Sequence, residues 1–165
     1  MNANIAQILL RLDSIDSLIP HLHLQSDAVS AWSVGQQIDH VISATSTFSV
    51  LLLRDRRSDG KAEKNAFKDP VLSKGAFPRG VIKAPKGLDN PSQPEPIPLS
   101  RAILKCRTRV SKLEGLSAEA VATHQLMGEM SRDEIIRFLI IHLDHHLAII
   151  QDILADHNIY IGTDD

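Results

Sequence analysis

The sequence predicts an all-α protein, a four-helix bundle, and three observations carry that reading. Four separate segments place their apolar residues at helical rather than alternating spacing. Aromatic residues make up only 4 % of the chain, so the core must be built mainly of Leu, Ile, Val and Ala. No segment carries a confident strand pattern, and four helices with one apolar seam each bury those seams most simply against one another. At 165 residues the chain reads as one domain, 1–165, long enough to bury a core without disulfides or other staples.

The first helix is expected over about residues 5–19. Ile5, Ile8, Leu9, Leu12, Ile15 and Leu18 or Ile19 share one face, and Pro20 ends it. His21 to Ala31 reads as a connection. The second helix, about 33–53, has a start signal: Ser33 stands three residues before Gln36, the spacing of a capping box, and Trp32 is placed to fold back as a hydrophobic staple. Ile38, Val41, Ile42, Thr45, Phe48, Leu51 and Leu52 form its inner stripe. The third helix, about 98–113, opens on Pro98 and carries Leu99, Ile103, Cys106, Val110 and Leu113 at steps of four and three, a bundle seam that Gly115 ends. The fourth, about 131–157, starts with the capping box Ser131 to Glu134 and stops near Asn158.

Between the second and third helices the periodicity is lost, and no regular helix or central strand is expected from Arg54 to Ile97. Residues 54–98 hold seven of the eight prolines. A connection this long is unusual within one domain and leaves simple up-down-up-down connectivity open. Between Arg54 and Lys86 it carries ten Lys or Arg against four Asp or Glu. Two readings stand: a loop kept soluble by its charges, or a flap over a pocket that attracts an anionic substrate.

Composition excludes several classes. Hydrophobic residues at 43 % and charged residues at 23 % are ordinary for a folded soluble protein, and a net charge of −2 gives no field toward nucleic acid or membrane. The single Cys106 rules out an internal disulfide and a cysteine-based zinc finger; a buried core thiol and a cytoplasmic, reducing location are the natural reading. The N-terminal segment is acidic too early for a signal peptide or a span, and the apolar stretches elsewhere are expected to fall short of crossing a bilayer.

The eight histidines are the most informative residues. An α-helix turns about 100° per residue, so His142 and His146 differ by only ~40° in direction, with Cβ atoms roughly 5–6 Å apart. They sit within the stripe Ile135, Leu139, His142, His146, Ile149, Ile153, an otherwise aliphatic seam. Buried imidazoles need partners, and one shared ion at about 2.0–2.1 Å from each nitrogen would serve both. A lone core histidine is more often structural than a ligand, so the pair is the signal. His40, near the start of the second helix, can supply a third ligand if the second and fourth helices are neighbours. Three histidines with an open position describe a catalytic rather than a closed structural site. Asp39 and Asp144 point away from the adjacent ligands and read as solvent-exposed. His21, His23 and His157 read as surface residues.

These residues resemble a known family. Trp32-Ser33-Val34-Gly35-Gln36-Gln37-Ile38-Asp39-His40 looks like the W-S-x-x-[EQ]-x-x-x-H signature of the DinB-like superfamily. His124 to Ser131, followed by His142-Leu143-Asp144-His145-His146, is similar to one uncharacterised branch of it, as is the stretch Phe77-Pro78-Arg79-Gly80 through Ala84-Pro85. The resemblance covers about residues 5–157. It implies a four-helix bundle of DinB-like type and a divalent metal, zinc or nickel, held by His40, His142 and His146. The superfamily includes transferases and isomerases that use a low-molecular-weight thiol, whose pKa the metal would lower. The expectation is therefore a divalent-metal-dependent enzyme, a thiol-dependent transferase or a metal-assisted hydrolase or isomerase, acting on an unidentified small molecule. His145 and His124 are the candidates for moving a proton. A non-catalytic metal-binding or small-molecule-binding bundle is the alternative. No nucleic-acid or membrane partner is expected, since Phe67 and Phe77 alone give the basic segment few stacking platforms; a homodimer is allowed for.

Overall fold

The structure, a computed structural model, describes residues 2–54, 56–58, 65–78 and 92–160. Among these, four long helices and one short one form the fold: α1 (Ala3–Asp16), α2 (Val34–Leu53), α3 (Lys68–Lys74), α4 (Pro96–Lys112) and α5 (Arg132–Asp156). A two-stranded antiparallel hairpin, β1 (Val121–His124) and β2 (Gly128–Ser131), leads into α5. The protein is therefore mostly helical rather than all-α.

Most residues of the apolar stripes read from the sequence are buried, while Leu9, Phe48, Leu51 and Ile149 are half-buried. Ile5, Ile8, Leu12 and Ile15 of α1 and Leu99, Ile103, Cys106 and Val110 of α4 are buried, together with Ile135, Leu139 and Ile153 of α5. Both expected capping boxes form. Ser33 Oγ accepts from the Gln36 amide while its own amide donates to Gln36 Oε1, and Ser131 and Glu134 do the same for α5. The Trp32 ring lies against His40, on the second turn of α2.

Helix pairing follows from the contacts. α1 packs on α4 and α5, and α2 packs on the same two, so α1 faces α2 across the bundle and α4 faces α5. Directions follow from paired positions. Asn2 reaches Glu114 while Asp13 meets Arg107, so α1 and α4 are antiparallel. Gln37 meets His146 while Phe48 meets Phe138, so α2 and α5 are antiparallel. Ser33 meets Gln93 while Ser46 meets Arg109, so α2 and α4 run parallel. Parallel neighbours need a return along the bundle, about 30 Å for a helix of 20 residues. That is the physical requirement for a long connection between them.

Five expectations are corrected here. The segment 54–97 is not free of helix, because α3 forms with Pro70 in its first turn, where no amide donor is needed, and Gly75 closes it at φ +68°. α4 begins at Pro96, two residues early, for the same first-turn reason. α1 ends at Asp16, and Ile19–His21 is a separate 3-10 turn around Pro20. The hairpin was invisible because strands of four residues carry too little alternation to register. A fifth concerns α5, which is long and apolar enough to cross a membrane by length and composition; here it packs on α1, α2 and α3.

The basic segment is partly neutralised within the fold. Arg56 pairs with Glu129, Arg57 with Glu119, and Lys68 with Glu134, which ties the segment to the hairpin and to the start of α5. The stretch 79–91, with Arg79, Gly80, Ala84 and Pro85 of the family resemblance, lies outside the described residues.

The Ser131 cap holds both α5 and the end of β2. Ser131→Ala should lower the stability of the protein by about 0.5–2 kcal/mol, read as a shifted urea midpoint at unchanged slope; Ser14→Ala, on the exposed face of α1, should not shift it.

Candidate metal centre

The antiparallel contact of α2 and α5 brings His40, His142 and His146 together. One nitrogen from each ring lies within 4.8 Å of the others. The closest pair is His142 Nε2 and His146 Nε2, 3.1 Å apart. Two nitrogens each bonded to one ion at about 90–110° would stand about 3.0–3.4 Å apart. His40 closes the triangle, with ring centroids 5.3 Å from His142 and 4.9 Å from His146.

The hydrogen bonding around His146 fixes its tautomer. Gln37, buried on α2, donates from its amide nitrogen to Ser30 Oγ, so its carbonyl oxygen faces His146. His146 Nδ1 lies 2.5 Å from that oxygen and donates to it, which leaves the Nε2 lone pair aimed at His142. Without a cation, His142 Nε2–H must be the donor between them, and His142 Nδ1 is then a buried acceptor with no partner among the described residues. Two lone pairs directed at one point suit a cation better than a single shared proton, so the residues fit a divalent metal.

Electrostatics agree with neutral donors. Burial pushes His146 and His142 well below the ordinary imidazole range, and the neighbouring histidines push them further. Burial first and His145 second lower His40. All three nitrogen donors are thus available at neutral pH, and no carboxylate belongs to the group.

Aromatic rings wall the cluster. Phe138 stacks on His142, Phe77 meets His142 and His145 edge-on, and Trp32 covers His40. His145 is beside the cluster, its ring edge-on to His146. His124 is further out, beyond Phe138 and stacked on Phe48. It is the last residue of β1, and its Nδ1 accepts the amides of Leu126 and Met127 to close the hairpin turn. Asp144 turns outward into a bidentate pair with Arg11, and Asp39 is half-buried with its carboxyl raised by burial. Cys106 is fully buried between helices, its thiol pushed up to about 12, and takes no part in the cluster.

Sequence reasoning missed Gln37 and the aromatic wall. The signal for Gln37 was present: it precedes His40 by three residues, so both lie on neighbouring faces of α2. Its role depends on a residue 109 positions away, which spacing cannot supply.

A helical scaffold that gathers three neutral imidazoles without a carboxylate has the build of a metalloprotein. The chain belongs to the DinB superfamily, whose sequence model matches residues 18–150, a span that holds all three histidines. No curated protein and no solved structure matches it.

Two outcomes follow. With metal removed by a chelator, His142 and His146 must stay neutral to remain folded, whereas in the unfolded chain they titrate near 6.5. Their lowered pKa means the unfolded state binds more protons below that pH. Stability should therefore be level above about 6.5 and fall as pH drops from there, by up to about 1.4 kcal/mol per unit for each group. Urea midpoints across pH 5–8 check this (about the range where imidazole titrates), and His142→Leu should flatten the slope. Gln37→Leu should weaken metal affinity by about 10–100-fold, measured by competition with a chromophoric chelator.

Proposed function

We propose that this chain is a divalent-metal-dependent enzyme in which His40, His142 and His146 hold the metal and a low-molecular-weight thiol or a water is the activated nucleophile. The observation that supports it most is the 3.1 Å approach of two imidazole Nε2 atoms, one of them held as a lone-pair donor by Gln37. Three neutral nitrogen donors suit zinc or nickel and leave the charge of a divalent ion uncompensated. When bound, such an ion supplies the positive charge that lowers the pKa of a thiol or water at an open position.

The protein's own residues do the rest. Phe77, Phe138 and Trp32 shield the imidazoles from water and strengthen their electrostatics. His145, beside the cluster and outside the ligand group, is the better placed of the two proton-transfer candidates. His124 has one ring nitrogen engaged by the hairpin turn and so keeps only the other for such a role. The reaction class in this reading is thiol transfer, with metal-assisted hydrolysis or isomerisation as the water-based or thiol-assisted variants, on a small molecule in the cytoplasm. The unpaired Cys106 is consistent with that compartment.

Elemental analysis tests the ligands. Purified protein should carry stoichiometric zinc or nickel, and His142→Ala and His146→Ala should each lose it; full occupancy in both variants would reject this ligand set. Cobalt-substituted protein should develop a new thiolate-to-metal absorption band on addition of a small thiol. A cobalt spectrum that ignores thiols would remove the thiol from the proposal, and if water-based activity is also absent the site is one of binding alone.

A further inference from the structure

A second feature lies on the opposite flank of α2. Between the parallel helices α2 and α4 a groove of about 420 Å³ opens to solvent, within the range of small-molecule sites. It exists because the facing positions are small: Ser43, Ser46 and Thr47 on α2 and Ala102 on α4 leave the interhelical space unfilled. Its apolar surface is the buried Ile42 with Val50, Leu51 and Ala102, which are half-buried. None of the three clustered histidines lines it.

Its charge is one-sided. Arg54, Lys105 and Arg109 line the groove, and no carboxylate among the described residues does. Arg109 donates to Ser46 Oγ, a neutral partner. None of the three is ion-paired among the described residues, whereas Arg11, Arg56, Arg57, Lys68 and Arg107 each face an Asp or Glu. Three cations and three hydroxyls around an apolar floor make a complement for an oxyanion carried on an apolar body.

We infer that the α2–α4 groove is a binding site for a small amphiphilic organic anion, its carboxylate or phosphate held by Arg54, Lys105 and Arg109 and its apolar part seated on Val50, Leu51 and Ala102. Lys105 and Arg109 are four apart on α4, and Arg54 comes from the C-cap of α2, so the cations can meet one headgroup from two sides. The site is independent of the metal reading.

Titration of four probes by calorimetry and amide-shift mapping tests it: octanoate, octyl phosphate, octanol and inorganic phosphate. At least one of the two amphiphilic anions should bind and shift amides of residues 42–54 and 102–109. Octanol and inorganic phosphate, each lacking one half of the recognition, should bind about tenfold more weakly or not at all. Comparing octanoate with octyl phosphate identifies the headgroup. The double substitution Arg54→Glu with Lys105→Glu, at exposed positions, should reduce affinity by roughly tenfold or more without changing the melting profile. Ala102→Phe, which fills the floor, should do the same by a different route. Octanol binding as well as the anions, indifference to charge reversal, shifts centred on His40, His142 and His146, or no binding by either anion would each overturn the assignment.

Discussion

The bundle depends on one constraint: polar nitrogens placed in the core seam of α5 must find partners away from water. His146 is 6 % exposed and belongs to a buried face of α5 otherwise made of Ile, Leu and Phe, where an unpaired imidazole would cost several kcal/mol. Gln37 answers one of its nitrogens and Ser30 holds Gln37 in place. This small polar chain fixes the register of α2 on α5 and, through it, the distance from His40 to the pair. Slipping α2 by one residue would turn Gln37 by about 100° and leave His146 without its acceptor.

The connectivity serves the same contact. α2 and α5 must be adjacent and antiparallel for His40 to meet His142 and His146, and the parallel placement of α4 follows from where the chain goes next. A long return between α2 and α4 is then a geometric need. Its described parts are tied down by ion pairs to Glu119, Glu129 and Glu134, and Phe77 from that return closes over His142 and His145. The hairpin contributes less directly. It delivers the chain to the Ser131 cap, and His124 closes its turn while backing Phe138, which stacks on His142.

α2 thus presents different chemistry on its two flanks. Toward α5 it offers Gln37 and His40 to a desolvated cluster of neutral nitrogens. Toward α4 it offers small hydroxyl side chains beside Arg54, Lys105 and Arg109. Burial keeps the imidazoles of the first flank neutral. The second flank opens to solvent and carries Arg54, Lys105 and Arg109. The difference is one of solvation as much as of residue type.

The sequence by itself determined the helical faces, both capping boxes, the burial of Cys106 and the pairing of His142 with His146, because each of these is a matter of spacing along one helix. His40 is only a conditional third ligand from its place on the second helix and rests largely on the family signature, and its approach to the pair needs the antiparallel contact that only the folded chain supplies. The hairpin, α3 and the first turn of α4 escaped because short elements rich in polar residues or proline owe their form to neighbours rather than to periodicity. Tertiary structure alone decided the tautomer of His146, the outward pairing of Asp144 with Arg11 and the position of His124 behind Phe138. Each of these depends on residues far apart in the chain, and one-dimensional spacing carries no information about which side chain will meet a buried nitrogen across an interface.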